Sequence, residues 1–192
     1  MSTSFILASA SPRRRELLKS MGFDFTVIPS GVDEKFLGGE SVKEHVLRLS
    51  REKAQVIAGK NPEAWVLGAD TVVIIDSEVL GKPGSKKEAR EMLVRLSGKK
   101  HRVLTGFSVV RNDMDVVKSG LTESSVFFKE VSDDELEWYI DTKEPYDKAG
   151  GYAVQGMAAS FVKEIRGSHT NVIGLPLCEV VAALKEVGAI SF

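Results

Sequence analysis

The run Trp65-Val-Leu-Gly-Ala-Asp-Thr-Val-Val-Ile-Ile75 constrains the fold more than any other stretch of the chain. Apart from Asp70 and Thr71 it is apolar or small, and Asp76-Ser77 after it is a turn pair, so it reads as a buried strand, a turn, a short strand and a Gly81-Lys82-Pro83-Gly84 loop. Phe5 to Ala8 reads as another buried strand, followed by a Ser9-Ala10-Ser11 loop, Ser11 as helix N-cap and Pro12 at the first helical position. Phe23 to Ile28 and Ala159 to Ile165 are further strand candidates. The alternation from His101 to Val131, with Asn112-Asp113 inside it, predicts long antiparallel strands. Capping boxes at Ser41…Glu44, Ser85…Glu88 and Ser132…Glu135 open three helices, the first running to about Ala58, and Pro176 to Val187 closes the chain as an amphipathic helix. The sum is α/β with a mixed sheet rather than a regular βαβ repeat.

With 192 residues, 43% of them hydrophobic, the chain can bury a core as one domain or two small lobes. We read 1–192 as a single domain. Lys and Arg total 26 against 27 Asp and Glu, so no overall basic field would hold nucleic acid, and any anion site must be local. The single cysteine, Cys178, excludes an internal disulfide, and His45, His101 and His169 are too scattered for a zinc cluster. No run approaches the roughly 20 apolar residues of a membrane span, and Phe5 to Ala8 is too short for a signal-peptide core. A cytoplasmic protein with no membrane partner is expected.

Arg13, Arg14 and Arg15 fill the first turn of the helix after Pro12, where the helix dipole disfavours cations. At about 100° per residue Arg14 falls near the centre of the Leu17–Leu18–Met21 face, Arg13 to one side and Arg15 well away from it. A strand, a small-residue loop and a helix N-terminus make a ready anion site, and arginines beside it supply planar bidentate phosphate contacts. Arg13 and Arg14 therefore read either as polyphosphate ligands or as a solvated basic turn.

Asp70 is a poor strand former in a run that otherwise looks buried, where a carboxylate is costly unless paired or metal-bound. It reads as a metal ligand or general base, or as a strand-end turn residue capped by Thr71. Glu34 is a candidate second oxygen ligand for magnesium or manganese, or a surface loop acid. Lys53 lies mid-helix in a charged stretch, where a solvated face is the ordinary reading. Lys82, in a Gly-Lys-Pro-Gly loop, is placed to aim an ammonium at a phosphate, or simply fills a turn. In "EPYDKAGGYAVQG" the glycines 150, 151 and 156 allow close backbone approach to a ligand, and Gln155 offers an acceptor and two donors. That pattern pairs with a uracil or thymine edge; a glutamate could only accept, which suits guanine. Alternatively Gln155 is incidental to a Gly-rich turn.

Seven stretches taken together resemble the Maf family of nucleoside triphosphate pyrophosphatases. They are "LASASPRRRELL" at Leu7 to Leu18, "GVDE" at Gly31 to Glu34, "REKA" at Arg51 to Ala54, "GADTVV" at Gly68 to Val73, "GKP" at Gly81 to Pro83, "DKAGGYAVQG" at Asp147 to Gly156 and "GSHTNVIGLPL" at Gly167 to Leu177. The Gln155 form of the sixth is similar to the branch that hydrolyses dTTP and UTP. The resemblance implies an inosine-triphosphatase-like fold, an elongated mixed twisted sheet with flanking helices and two lobes around a cleft. It also implies a divalent cation (Mg or Mn), a homodimer, and cleavage between the α and β phosphates to give a monophosphate and pyrophosphate. Carried over by position, Asp70, Glu34, Lys53 and Lys82 would be catalytic, with Asp70 as proton acceptor and Asp70 and Glu34 holding the metal. Ser9, Arg13, Arg14, Thr71 and Gln155 would bind substrate. Two rivals stand beside this: an enzyme of the same kind acting mainly on modified nucleotides such as 5-methyl-UTP, and a non-catalytic nucleotide or nucleic-acid binding protein of cell-division control.

Overall fold

The computed structural model describes residues 4–191. Strands are β1 (Phe5–Leu7), β2 (Thr26–Val27), β3 (Trp65–Ile75), β4 (Glu78–Leu80), β5 (Lys100–Arg111), β6 (Val116–Phe128) and β7 (Val162–Arg166). Helices are α1 (Pro12–Ser20), α2 (Val42–Ala58), α3 (Lys86–Leu96), α4 (Asp133–Ile140), α5 (His169–Ile173) and α6 (Leu177–Glu186), with 3-10 turns at Pro145–Asp147, Ala149–Gly151 and Met157–Phe161. One seven-stranded sheet runs β2-β1-β3-β5-β6-β7, with β4 also paired to β3. Pairing is parallel for β1 with β2 and β3, antiparallel for β3 with β4 and for β6 with β7, so the sheet is mixed, as the pattern of elements predicts.

The residues that start and stop these elements act locally. Asp76 and Ser77, both at positive φ, close the β3–β4 hairpin. Ser41–Glu44 and Ser132–Glu135 form complete capping boxes. The third box is half made: Ser85 accepts from the Glu88 amide, but the Glu88 carboxylate turns to the amide of Gly84 at 2.7 Å. Two strand expectations are also corrected. Phe23 to Ile28 yields only Thr26–Val27, because β1, its partner, is three residues long, and Phe23 and Phe25 instead set their rings edge-on against Phe5. Ala159 to Ile165 is strand only from Val162, since Ala158 and Phe161, three apart, turn into the core together on a 3-10 turn.

The chain divides into two compact units. One comprises the described residues of Met1–Asp70, Thr105–Thr122 and Gly174–Phe192; the other comprises Thr71–Leu104 and Glu123–Ile173. Three of the four crossings fall inside strands β3, β5 and β6. The first unit has an apolar cluster of Ile6, Ala8, Val66 and Val110 against Ala54, Ile57 and Ala58 of α2. The second packs Val73, Leu93, Val126, Leu136, Tyr139 and Phe161 around an edge-on aromatic group of His101, Phe128 and Tyr152.

Within the first unit, α2 lies directly on the backbone of β3. A Cβ on Gly68 would stand 2.2 Å from the Ser50 carbonyl oxygen and 2.8 Å from the Ala54 amide nitrogen, so only glycine permits this approach. Gly68→Ala must push helix and strand apart. We expect it to cost about 1–3 kcal/mol, read as a lowered urea midpoint at unchanged m-value; an unchanged midpoint would contradict the contact.

In the second unit His101 is buried and shares a 2.7 Å hydrogen bond with the Tyr152 hydroxyl through Nε2. Burial pushes its pKa down to about 4 from an ordinary 6.5. Between those values the unfolded chain binds a proton that the folded chain does not. His101 therefore leaves stability intact above pH 6.5 and erodes it as pH falls towards 4, by up to about 1.4 kcal/mol per pH unit. Denaturant titrations at pH 7, 6 and 5 should show a shallower loss for His101→Phe than for the wild type. Parallel curves would rule out this histidine as the source.

Candidate active site

The first turn of α1 answers the puzzle of the arginines unevenly. Arg14 is buried, as its place on the apolar face predicts, while Arg15 is exposed and sits 3.5 Å from Glu16. The Arg14 Nε donates to the Gly174 carbonyl at 2.7 Å and Nη1 donates to Ser9 Oγ at 3.1 Å. Ser9 Oγ also accepts from the Ser11 amide at 3.2 Å, so one hydroxyl ties the loop to the helix entry. Burial pulls the Arg14 pKa below its ordinary value, the charges of Asp70 and Glu34 pull it back up, and Arg13 lowers it further. A guanidinium remains charged at neutral pH even so. The Gly174 carbonyl is a partner that residue-level reading missed, although "GSHTNVIGLPL" was among the matching stretches; that match gave Gly174 no role.

Asp70 stands in the middle of β3 and is 6% exposed, which removes the reading of it as a strand-end turn residue. Its compensation is Lys53. The Lys53 Nζ donates to Asp70 Oδ1 at 2.7 Å and to Glu34 Oε1 at 2.5 Å. Lys53 itself is 5% exposed, so the solvated-face reading of this lysine is corrected: it lies on the buried side of α2, one residue before Ala54, whose amide nitrogen comes closest to the Gly68 position after the Ser50 carbonyl. Glu34 comes from the loop before α2 with its side chain half exposed. Two carboxylates, one ammonium and one buried guanidinium are thus gathered in the first unit.

The chemistry of this donor set fits a hard divalent cation. Two carboxylates converge on one point, now held by the Lys53 ammonium. Among the described residues no group of three or more His, Cys, Asp or Glu side chains is placed to hold a metal. Magnesium accepts such sparse sites, being held by one or two carboxylates while substrate phosphates and water complete its shell. Asp70 and Glu34 would be its protein ligands.

Thr71, Lys82 and Gln155 belong to the second unit. Thr71 is on β3 directly after Asp70. Lys82 is exposed in the loop after β4, and that loop is fixed to the Gly-rich segment by the Gly150 amide, which donates to the Gly81 carbonyl at 2.9 Å. Gln155 is exposed at the corner of a turn closed by the Gly156 amide donating to the Ala153 carbonyl at 3.1 Å. Ser9, Arg14, Glu34, Lys53 and Asp70 are therefore brought together by hydrogen bonds and neighbouring charge, Arg13 stands at the edge of that group, and Lys82 shares a local framework with the segment leading to Gln155. Among the described residues no helix is long and apolar enough to cross a membrane.

Comparison with known proteins is consistent across the chain's length. A dTTP/UTP pyrophosphatase from Syntrophus aciditrophicus (strain SB) is 56% identical over 192 residues, covering 100% of this chain and 94% of that protein. A dTTP/UTP pyrophosphatase from Geotalea uraniireducens (strain Rf4) is 49% identical over 188 residues, covering 98% of this chain and 97% of that protein. Among solved structures, a nucleoside-triphosphatase / dITP/XTP pyrophosphatase from Mycobacterium abscessus aligns over 99% of this chain and 100% of its own at 10% identity, with a TM-score of 0.47. The family model described as Maf-like protein matches residues 4–187. The chain belongs to the Maf-like protein family.

Proposed function

We propose that the chain is a nucleoside triphosphate pyrophosphatase that hydrolyses dTTP and UTP to the monophosphate and pyrophosphate. Relatives of that name at 56% and 49% identity, aligned nearly end to end, support the reaction. The observation that carries the site is the buried Lys53 ammonium shared by Asp70 and Glu34 beside the Arg14–Ser9 pair. A pure anion binder has no use for two carboxylates next to its cations.

In this reading Arg13, Arg14 and Ser9 bind phosphate oxygens, and Arg14 is pre-oriented by the Gly174 carbonyl so that little rotamer freedom is lost on binding. Lys53 adds positive charge beside the polyphosphate; for Lys82, in the second unit, the same role rests on the family resemblance alone. Water attacks the α phosphorus, the bond from that phosphorus to the bridging oxygen breaks, and pyrophosphate leaves with the bond's electron pair. Asp70 is the acceptor for the water's proton, and the Lys53 ammonium on Oδ1 holds its carboxylate in place. A magnesium or manganese ion held by Asp70 and Glu34 would, when bound, neutralise charge on the phosphates. The family resemblance gives Arg13, Thr71 and Gln155 a bearing on substrate choice, Gln155 by offering both a donor and an acceptor to a uracil or thymine edge.

The test is product analysis by ion-exchange chromatography on a panel of nucleoside triphosphates with magnesium or manganese. Wild type should give UMP or dTMP plus pyrophosphate. Asp70→Asn should lower kcat by about 100-fold or more while nucleotide binding, followed by calorimetry, changes little. Release of inorganic phosphate and a diphosphate would mean a different bond is cut, and wild-type turnover in Asp70→Asn would remove the catalytic role. Arg14→Lys keeps the charge but loses the two-directional contact to Ser9 and Gly174, and we expect KM to rise about tenfold, equivalent to about 1.4 kcal/mol, in steady-state kinetics.

A further inference from the structure

Glu144, in the second unit, has a hydrogen-bond set that the site described above does not use. Its carboxylate accepts from three donors: the Tyr139 hydroxyl at 3.0 Å, the Met157 amide at 2.9 Å and the Ala158 amide at 3.3 Å. Its own backbone is fixed as well. The Glu144 amide donates to Thr142 Oγ1 at 3.1 Å, and the Lys148 ammonium donates to the Glu144 carbonyl at 2.5 Å. Tyr139 is fully buried, and burial together with the Glu144 charge raises its phenol pKa, so the hydroxyl stays protonated as a donor.

The two amides begin the Met157–Phe161 turn, which follows directly on Gln155 and Gly156. A Cβ on Gly156 would lie 2.3 to 2.4 Å from the Glu144 carboxylate atoms. The missing side chain at Gly156 is therefore what lets the carboxylate reach the amides. On the other side of Gln155, the turn is closed by the Gly156 amide on the Ala153 carbonyl. Gln155 itself is exposed, and what fixes its backbone comes from its neighbours.

We infer that Glu144 is a positioning residue for Gln155: by bridging the buried Tyr139 hydroxyl to the amides of Met157 and Ala158 it fixes the turn from which Gln155 meets the base, and so sets the preference for uracil and thymine nucleotides. The inference rests on the proposed role of Gln155 as the base-reading residue. A glutamine side chain distinguishes bases by the direction of one acceptor and two donors, so its discrimination falls when its backbone is free to rotate. Charge-assisted bonds to amide donors are among the stronger ways to hold a short segment of backbone. Glu144→Gln preserves size but replaces one acceptor with a donor that faces an amide N–H.

The experiment is a double-mutant cycle on the full chain with Glu144→Gln, Gln155→Ala and the pair, measuring kcat and KM for UTP and CTP separately. Glu144→Gln should raise KM for UTP about tenfold and shrink the UTP-over-CTP preference in kcat/KM by a similar factor, with kcat at saturation within about threefold, and it should have no further effect on the preference once Gln155 is alanine. Equal losses for UTP and CTP, an effect confined to kcat, or additive effects in the pair would overturn the inference. If Gln155→Ala leaves the preference intact, the base-reading role fails; a change with Gln155→Ala but none with Glu144→Gln leaves that role standing and overturns this one. Amide exchange of Met157 and Ala158, faster in Glu144→Gln, tests the hydrogen bonds without any substrate, and unchanged exchange would also overturn the inference. Should Glu144→Gln fail to fold by circular dichroism, Tyr139→Phe removes a single donor to the same carboxylate and should move the preference in the same direction.

Discussion

The closeness of one helix to one strand decides where the charges of this molecule can stand. With Gly68 under α2, the helix backbone rests on β3, and a lysine next to the point of contact reaches a carboxylate two residues further along the strand. Residues two apart share a face of a strand, so Gly68 and Asp70 look toward the same helix. A buried carboxylate left without a partner costs several kcal/mol, enough to matter in a domain whose whole stability is of order 10 kcal/mol. The missing side chain at Gly68 and the charge at Lys53 are therefore one device. Neither works without the other.

The arginines of α1 show a second form of compensation. Two helices place an acid in the first turn through a complete capping box and a third does so with half of one, whereas α1 has none there and buries a guanidinium instead. Its two fixed acceptors, the Ser9 hydroxyl and the Gly174 carbonyl, come from either side of the chain's long course, 5 and 160 residues away. Nearby negative charge at Asp70 and Glu34 offsets part of the desolvation. A local rule is broken in the first turn of α1, and tertiary contacts absorb the cost.

Much of this was legible in the chain, and the exceptions have a common cause. The hairpin strands, the long helix from Val42, and the opposite fates of Arg14 and Arg15 all follow from periodicity and spacing, which are local. Lys53 was misleading because a helix rich in charge looks solvated, while the acids that bury it are 17 and 19 residues away. The strand expected at Phe23 to Ile28 is cut short by the length of its partner. The 3-10 turn at Met157–Phe161 and the half-made box at Ser85 both depend on where a glutamate carboxylate found main-chain amides, and no side-chain pattern records that choice. The resemblance to a family supplied roles for residues whose own chemistry left two readings open.

Neither compact unit is a contiguous length of chain. The second unit is interrupted by Thr105–Thr122, and the first is assembled from three separate segments, with most crossings inside strands rather than at linkers. An exchange of modules between genes, which needs each module to lie between two cut points, is closed to such a molecule. No single proteolytic cut or splice junction releases either unit whole. Change in such a molecule must then accumulate residue by residue on a framework inherited entire.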